Sequence, residues 1–479
     1  MGPLRVQCKT MKKTRFWGAL LLGVIAIRVL YSYLTPIQLS ETYHLLCAGH
    51  PGHFYVDQPG MLVWIMRAFD GVFGSPLLGI RLAAFLCFLI TLFFIYRTTK
   101  VLTHDRCIGI QAALFFSLIP YHFLNGVGLQ VEVPLLMFGS MAVYTYVLLL
   151  KTGRPHYLYQ TAVIGALGCL TSYTMGLMLL LMGFCILLFR PYRYLLISRH
   201  VFGALLIFGV MICPYLWWNA HQGWIGVPFA IKSFGTSALF SEFWSFLGLQ
   251  LLYVSPVAVI YGYWLSKFGR SSFPPLGVVA GGIFIGVFLL GFKSHLDPQW
   301  TALAYIPLSV FLIAGLGEKK SGGLVRSMFL FSGLVLLVAG FSGQAYFLHH
   351  SLYRANDQIE PYLHRMSQSA PTHIFSDSAF GVSALTYFGN RDVFLPKTLF
   401  KTPDLYLSEQ FVLWPSETRV RKGDSVIFFA RESMDMTRKL NLFFYDVRIE
   451  PALRLVLPES ELGRHVFYEC RDAIRTVVF

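Results

Sequence analysis

Charged residues are scarce in this chain. Lysine, arginine, aspartate and glutamate together make up 13% of its 479 residues, against about 25% in a typical soluble domain. Cysteine is also sparse: the eight cysteines contain no CxxC pair and no zinc-binding spacing, which argues against a zinc domain. Internal repeats and low-complexity tracts are missing as well. Hydrophobic residues instead make up 55% of the sequence, so the composition indicates a membrane protein.

The surplus of basic residues does not indicate nucleic-acid binding. The formal net charge is +15, but the lysines and arginines lie in small groups between apolar runs and not together on one helix face. Such grouping orients membrane helices, because cytoplasmic loops carry the excess of lysine and arginine. We therefore expect a lipid bilayer as partner and no nucleic acid.

Eleven apolar runs approach the length of about 20 residues that a helix needs to cross a bilayer. The first run lacks the small-residue exit of a signal peptide, so we expect a retained helix. With the N-terminus inside, every inside loop holds at least two basic residues, and the outside loops hold few. We predict an all-α polytopic protein of the plasma (inner) membrane with about eleven transmembrane helices, N-in and C-out. The runs lie near 16–36, 77–98, 107–124, 131–150, 157–173, 175–189, 200–218, 243–266, 276–292, 300–317 and 325–346.

The composition changes after residue 346, where charged residues become frequent. Short β-rich runs such as PTHIFSD, RDVFLP, SEQFVLW, DSVIFFA, HVFYEC and RTVVF alternate with turn residues. We predict a transmembrane domain over 1–346 and a small extracytoplasmic α/β domain over 347–479. Cys47 and Cys470 would both lie outside the membrane, where two unpaired thiols are favoured over a disulfide.

Polar residues unusual for a membrane protein all fall in the predicted outer loops. The first outer loop, 37–76, carries Glu41, Asp57 and three histidines, and further polar groups follow at 125–132, 217–224 and 293–300. A site at the outer membrane–water boundary would explain this asymmetry. A transporter should instead place ionisable groups near the middle of the bilayer.

The middle of the spans is almost free of charge, since Arg28 and Arg81 lie near span ends. This disfavours a transporter. Within the first outer loop, residues 61–73 predict an interfacial helix lying on the membrane, with the preceding Asp57 at headgroup depth. Its apolar face would consist of Leu62, Ile65, Met66, Phe69 and Phe73.

Several stretches resemble, in order, the motifs of one family of membrane enzymes. They are SETYHLLCAGHPGHFYVDQPGMLVWI, GVFGSPLLGIRLAAFL, QVEVPLLMF, LTSYTMGLML, PYLWWNAHQGW, FKSHLDPQWTALAYIPL and EQFVLWPSETRVRKGDSVIFF. They are similar to the polyprenyl-phosphate-sugar glycosyltransferases of the GT-C group, which includes protein O-mannosyltransferases and the lipid A aminoarabinose transferase. The resemblance covers most of the chain.

The resemblance implies transfer of a glycosyl group from a polyprenyl-phosphate-linked sugar to an envelope lipid, glycan or protein at the outer face. A carboxylate of the first outer loop would deprotonate the acceptor, while cationic or hydrogen-bonding groups would stabilise the departing phosphate. A non-catalytic lipid-glycan binding or scaffold protein of the same fold remains an alternative from another class. The sequence requires no cofactor, and a divalent metal remains open because no ligand spacing demands one.

The chain departs from the family at chemical positions. Ser40 stands where the family has its leading Asp, and Ser172 stands where it has a Lys. Serine cannot act as a general base at neutral pH without help. Three interpretations remain open: another carboxylate has taken over, the donor or acceptor is unusual, or the activity is lost or altered.

The resemblance also supplies candidate site residues. Glu41, Asp57 and Glu132 are the candidate catalytic residues, and Lys293 and His295 are the first candidates for the donor phosphate. Each has a structural alternative, as a cap or turn residue for Asp57 and as snorkelling interfacial residues for the two basic groups. The other candidates for substrate binding are Ser40, Tyr43, Tyr55, Gln58, Arg81, Tyr173, Asn219 and Trp300, of which the aromatic ones would also fit an interfacial belt.

Overall fold

A computed structural model describes most of the N-terminal part of the chain and parts of the C-terminal one. The described residues are 2–35, 37, 39–50, 52–55, 58–224, 240–254, 256, 260, 273–291, 298–318, 323, 327–338, 373–376, 393–394, 419–431, 440–456, 464–474 and 477–478. The chain divides into two compact units. Unit 1 comprises Met1–Thr35 and Gln58–Gly340, and unit 2 comprises Pro36–Asp57 and Phe341–Phe479.

Unit 1 is built from helices, and one further helix, α2, belongs to unit 2. The helices are α1 Gly2–Leu34, α2 Leu39–Gly49, α3 Met61–Phe73, α4 Pro76–Thr103, α5 Arg106–Ser117, α6 Pro120–Asn125, α7 Glu132–Thr152, α8 Pro155–Cys169, α9 Thr174–Leu188, α10 Arg199–His221, α11 Phe240–Val254, α12 Pro274–Gly291, α13 Tyr305–Glu318 and α14 Ser327–Val338. Short 3₁₀ segments lie at Arg190–Leu195 and Pro298–Ala304.

Four of these helices are long and apolar enough to cross a membrane: residues Lys13–Leu34 of α1, then α4, α7 and α10. Shorter apolar helices of 10–17 residues occur at α5, α9, α12, α13 and α14. The predicted helical membrane fold is confirmed at this level. The count of eleven spans, the orientation and the domain boundary at residue 346 stay predictions.

The predicted span at 107–124 is not one continuous helix. α5 ends at Ser117, and α6 begins at Pro120 after two residues that are not helical. Proline is the physical reason, because its ring disfavours the helical conformation for the preceding residue and removes an N–H donor. Ile119 is accordingly extended, with ψ 118°. The helix restarts only briefly, since α6 ends at Asn125 and residues 126–131 are not helical. Residues 118–131, which we call the α5–α7 connection, therefore contain carbonyl groups that need partners from elsewhere.

The helix predicted at 61–73 is confirmed, but the surroundings of its apolar face differ from the prediction. Leu62 and Met66 are 0% and 1% exposed, so protein and not lipid covers this part of the face. Helix α3 packs against α4, where a Cβ on Gly79 would lie 3.2 Å from the backbone of Phe69. Such a close approach favours glycine. Towards the end of the helix Phe73 is 44% exposed and remains available to solvent or lipid.

Helix α7 is enclosed by other helices of unit 1. Of its most apolar window, 78% is buried, against 6% for α1 and 11% for α10. Polar groups on α7 find partners inside the protein: the Tyr146 hydroxyl donates to the Met182 carbonyl at 2.9 Å, and the Thr145 and Thr161 hydroxyls are 2.8 Å apart. Because α7 begins at Glu132, its packing fixes the backbone of a predicted site residue.

Unit 2 contains a small mixed sheet. The strands are β1 His373–Ser376, β2 Val393–Phe394, β3 Arg419–Val420, β4 Val426–Arg431, β5 Phe444–Val456, β6 Arg464–Ala473 and β7 Val477–Val478. The five-stranded sheet has the order β2-β1-β4-β6-β5, and β3 pairs with β7. Strands β1, β2 and β4 are parallel, and β4, β6 and β5 are antiparallel.

Five predicted β-rich runs overlap strands of this unit: PTHIFSD, RDVFLP, DSVIFFA, HVFYEC and RTVVF overlap β1, β2, β4, β6 and β7. The run SEQFVLW lies outside the described residues. Val426, Phe428, Phe444 and Tyr468 form part of a buried cluster under the sheet. Such a cluster is what a small domain needs to fold around.

Close packing of α7 generates a testable prediction. A Cβ on Gly139 would lie 2.5 Å from Leu303 and 3.3 Å from Ile306, so Gly139→Leu overpacks the core and should cost about 1–3 kcal/mol. The thermal midpoint of the purified protein in detergent should fall by several degrees. Gly176→Leu is the matched control, since nothing lies within 4 Å of its Cβ. Equal midpoints for the two variants would contradict this packing.

Candidate active site

Helix α2 of unit 2 carries the first predicted site residues. Ser40 is half-buried, whereas Glu41 is 0% and Tyr43 is 1% exposed. Glu41 lies in the first turn of the helix, where the helix dipole favours a negative charge. The carboxylate of Glu41, in the predicted first outer loop, is therefore enclosed by protein.

Tyr55 holds the segment after α2 in place. Its hydroxyl donates to the Cys47 carbonyl at 2.9 Å and to the Gly52 carbonyl at 3.3 Å, and the side chain is fully buried. His50 contributes through Nδ1, which lies 2.9 Å from the Leu46 carbonyl. Tyr55 was predicted to bind substrate, and its described contacts are structural.

Glu132 is half-buried and borders a small cavity of unit 1. The cavity measures about 20 Å³ and is lined by Arg28, His122, Gln130 and Glu132, among others. A volume of this size admits about one water molecule. The cavity is therefore too small to hold a sugar ring.

Arg28 of α1 reaches the α5–α7 connection from the neighbouring helix. Its Nη1 donates to the His122 carbonyl at 2.7 Å and its Nη2 to the Gly126 carbonyl at 2.5 Å. The guanidinium carbon lies 3.9 Å from the centre of the Phe88 ring, within the range of a cation–π contact. Only 4% of the side chain is exposed.

Two further side chains bind the same connection. Ser32, one turn after Arg28, donates to the Val127 carbonyl at 3.1 Å, and Nη1 of Arg81 donates to that carbonyl at 3.2 Å. Nη2 of Arg81 donates to the Thr35 carbonyl at 3.1 Å, which joins α4 to the end of α1. We call this set the carbonyl clamp: Arg28, Ser32 and Arg81 with the carbonyls of His122, Gly126 and Val127.

Tyr173 and Asn219 lie in a second group, around the end of α10. The hydroxyls of Tyr173 and Tyr215 are hydrogen-bonded to each other. The Tyr215 ring stacks on Trp218, with centroids 6.2 Å apart, and Asn219, one turn after Tyr215, is 2% exposed. Trp224 adopts the left-handed conformation with φ 62°, and its N–H donates to the Asn219 carbonyl at 2.7 Å.

A non-glycine residue with such a φ is uncommon and carries strain. Half of the Trp224 side chain is exposed, at 48%. The strained backbone at the end of α10 therefore keeps the Trp224 ring partly exposed, at a cost in conformational energy. This arrangement suits either an interfacial belt or stacking on a sugar.

The remaining predicted residues divide into described and undescribed ones. Gln58 is buried at 2% exposure, and Trp300 packs against the main core of unit 1. Asp57, Lys293 and His295 lie outside the described residues. The expected convergence of Glu41, Asp57, Glu132 and His295 on one outward cavity therefore stays a prediction.

Sequence reasoning missed the importance of Arg28, Ser32 and His122. The ring of His122 stacks on Phe116 with centroids 4.5 Å apart and meets Tyr305 edge-on at 5.1 Å. The available signal was Arg28 itself, because an arginine within a membrane span is a functional hypothesis by default. Its position near a span end was instead counted as evidence against a transporter.

The described residues contain no cluster of side chains that could bind a metal ion. Within them, no three histidine, cysteine, aspartate or glutamate side chains come together as ligands. Cys47 and Cys470 are both buried. These thiols and carboxylates therefore supply no preformed metal site in the described part of the chain.

Comparison with known proteins found one family model and several solved structures that are similar to this chain. Residues 57–218 match the family model of dolichyl-phosphate-mannose-protein mannosyltransferases. Curated protein sequences gave no match. The crystal structure of ArnT from Cupriavidus metallidurans bound to undecaprenyl phosphate is similar, with a TM-score of 0.63, 13% sequence identity, and 95% of this chain and 98% of that chain covered. The same protein in the apo state gives a TM-score of 0.64 at 13% identity and the same coverage.

The resemblance found in the sequence is confirmed. The family model begins at Asp57 and ends at Trp218, so it contains Glu132 and the carbonyl clamp residue Arg81. The likeness to ArnT extends over nearly the whole of both chains. At this identity it shows that the chain has the fold of ArnT.

A pH dependence follows from the burial of His44 in α2. Burial lowers the pKa of His44 from 6.5 to about 3. The unfolded chain therefore takes up a proton near pH 6.5 that the folded protein refuses, so stability is full above that pH and falls as the pH drops towards 3. From about pH 7 to about pH 5 we expect a loss of about 2 kcal/mol from this group.

The measurement is the thermal midpoint of the purified protein at each pH. His44→Gln should flatten the decline, whereas His53→Gln, at an exposed position of the same predicted loop, serves as the matched control. An unchanged slope in His44→Gln would contradict the assignment.

Proposed function

We propose that the chain transfers a glycosyl group from a polyprenyl-phosphate-linked sugar to an envelope lipid, glycan or protein. The observation that carries the proposal is the fold shared over 95% of the chain with ArnT, a protein crystallised with undecaprenyl phosphate. The family model over residues 57–218 and the ordered motifs of the sequence support it. The donor lipid in this proposal is a polyprenyl phosphate.

In the proposed reaction one bond forms and one breaks. The acceptor's nucleophile attacks the anomeric carbon while a carboxylate takes its proton, and the bond to the lipid phosphate breaks with its electron pair. Glu41, Asp57 and Glu132 are the proposed acid/base and binding residues. Lys293 and His295 are proposed to stabilise the departing phosphate, because cationic donors aimed at developing charge lower the barrier.

The proposal places the site at the outer face of the plasma (inner) membrane. About eleven spans, N-in and C-out, form the transmembrane domain over 1–346, and the extracytoplasmic domain over 347–479 covers the site or receives the acceptor. Support comes from the polar outer loops and from the basic residues of the inside loops. The acceptor class remains lipid, glycan or protein.

A second candidate function is a non-catalytic lipid-glycan binding or scaffold protein. Ser40 favours it, since this residue stands in place of the family's leading carboxylate. The retained carboxylates Glu41, Asp57 and Glu132 favour the enzyme, because any of them could serve as the base. A transporter has less support, since the predicted spans are almost free of charge.

Carboxylate substitutions test the proposed transfer. Membranes carrying the wild type, Glu41→Gln, Asp57→Asn or Glu132→Gln are given labelled undecaprenyl-phosphate sugars, and label in lipid, glycan and protein fractions is counted. Loss of the general base should lower kcat by about 10²–10⁴-fold. Asp105→Asn is the matched control, since Asp105 caps α5 through the Cys107 N–H.

The outcomes separate the candidate functions. Transfer by the wild type that fails in one or more of the three variants supports the enzyme and names its base. Transfer that survives all three changes removes these carboxylates from the mechanism. Absence of transfer by the wild type, while a relative with the intact Asp is active in the same assay, favours the scaffold.

Ser40→Asp distinguishes a relocated base from a lost one. If Glu41, Asp57 or Glu132 has taken over, a carboxylate at residue 40 adds nothing, and kcat should change by less than about threefold. If the base is simply missing, Ser40→Asp should raise transfer from near background by a factor on the order of 10². Ser40→Asn is the control for size and polarity without the charge, and should not reproduce the gain.

A further inference from the structure

Arg28 is a cation enclosed by protein within a candidate membrane span. It lies six residues before the end of α1 at Leu34, which corresponds to about 9 Å along the helix. An arginine so near a span end commonly extends its head group to the interface. Arg28 is only 4% exposed, and its guanidinium points instead into the α5–α7 connection through two carbonyls.

The charge of Arg28 is not matched by a carboxylate among the described residues. Its contacts there are the carbonyls of His122 and Gly126 and the face of Phe88. A buried charge without a counter-ion is expensive, and replacing it by an apolar residue is often neutral or stabilising. The guanidinium therefore serves the backbone of the connection: the Gly126 carbonyl lies beyond the end of α6, and the His122 carbonyl gains a second donor beside the Gly126 N–H at 3.3 Å.

The connection is shaped to receive this side chain. A Cβ on Gly126 would lie 2.4 Å from Nη2 of Arg28 and 2.7 Å from the His122 carbonyl oxygen. Gly126 has an ordinary φ of −84°, so glycine is required for space and not for backbone conformation. Any larger residue would displace either the guanidinium or the connection.

The clamped segment and Glu132 border the same cavity. Gly126 and Gln130 of the connection line it together with Arg28 and Glu132. The backbone of Glu132 is set by α7, while the carbonyl clamp sets the part of the cavity wall that the connection contributes. Val127, the last clamped residue, precedes Glu132 by five positions.

We propose that Arg28 is a positioning residue for the glycosyl transfer proposed above. Through the carbonyl clamp it fixes the α5–α7 connection beside Glu132, so that the reacting groups keep the geometry that the transfer needs. The inference rests on the proposed function for its role in catalysis, while the clamp itself can be measured without any reaction. Small misplacements of reacting groups lower kcat strongly.

Hydrogen–deuterium exchange of the full chain in detergent tests the clamp. The amides of Phe123, Gly126 and Gln130 donate within the connection and report its opening. Arg28→Met and Gly126→Ala should each speed the exchange of these amides by about tenfold or more. Arg28→Lys offers one ammonium group to two carbonyls, so its exchange rate should lie between those of the wild type and Arg28→Met. Gly23→Ala on the same helix, with nothing within 4 Å of its Cβ, should not differ from the wild type.

Transfer kinetics test the positioning role on the same proteins. With labelled undecaprenyl-phosphate sugars, Arg28→Met and Gly126→Ala should lower kcat by about tenfold or more, with the donor KM within about threefold. Arg28→Lys should recover part of kcat. A merely structural arginine would change protein yield or thermal midpoint and leave kcat per folded molecule unchanged.

The outcomes keep the two proposals apart. Unchanged exchange in both Arg28→Met and Gly126→Ala overturns the clamp, whatever the activity. Faster exchange with unchanged kcat overturns the positioning role. If the wild type transfers nothing, the proposed function fails, and the exchange data still decide whether Arg28 holds the connection.

Discussion

Unit 1 depends on one constraint: inside a membrane, backbone polar groups and charges have no water to bind and must find partners within the protein. Helix α4 meets it locally, because four of its threonines donate to carbonyls of the preceding turn: Thr91, Thr98, Thr99 and Thr103. The α5–α7 connection cannot do so, since α6 ends at Asn125 and residues 126–131 are not helical. Its carbonyls take donors from Arg28, Ser32 and Arg81 instead.

This solution concentrates polar groups at one end of the bundle. Arg28 and Ser32 lie near the end of α1, Arg81 near the start of α4, and Glu132 at the start of α7. Hydrogen bonds join the first three to the same short connection, and a shared cavity joins the connection to Glu132. A broken helix would be a liability anywhere else in the span. At this end it provides irregular backbone and ionisable groups side by side, which is what a site for a charged lipid donor requires.

The sequence allowed the helices and several strands to be predicted, because apolar run length and β-rich alternation are local signals. It did not reveal β5, whose Pro451 interrupts a strand pattern and whose pairing shifts register between Glu450 and Leu455. Nor did it reveal the carbonyl clamp. Arg28 and Gly126 are 98 residues apart, and only the packing of α1 beside the connection shows that an arginine near a span end has turned inward. The apolar face of α3 was misread for the same reason: a stripe of Leu62 and Met66 fits protein as well as lipid.

Ser40 and Glu41 pose the question that separates fold from activity. Residue 40 is a serine where the resembling family has an Asp, and the adjacent carboxyl of Glu41 is fully buried in the first turn of α2. The helix dipole favours a negative charge there by about 0.3–1 kcal/mol. A buried carboxyl held by contacts inside the protein fits a structural role, whereas one that faces the acceptor fits a general base. Residues 40 and 41 are therefore the place where enzyme and scaffold differ.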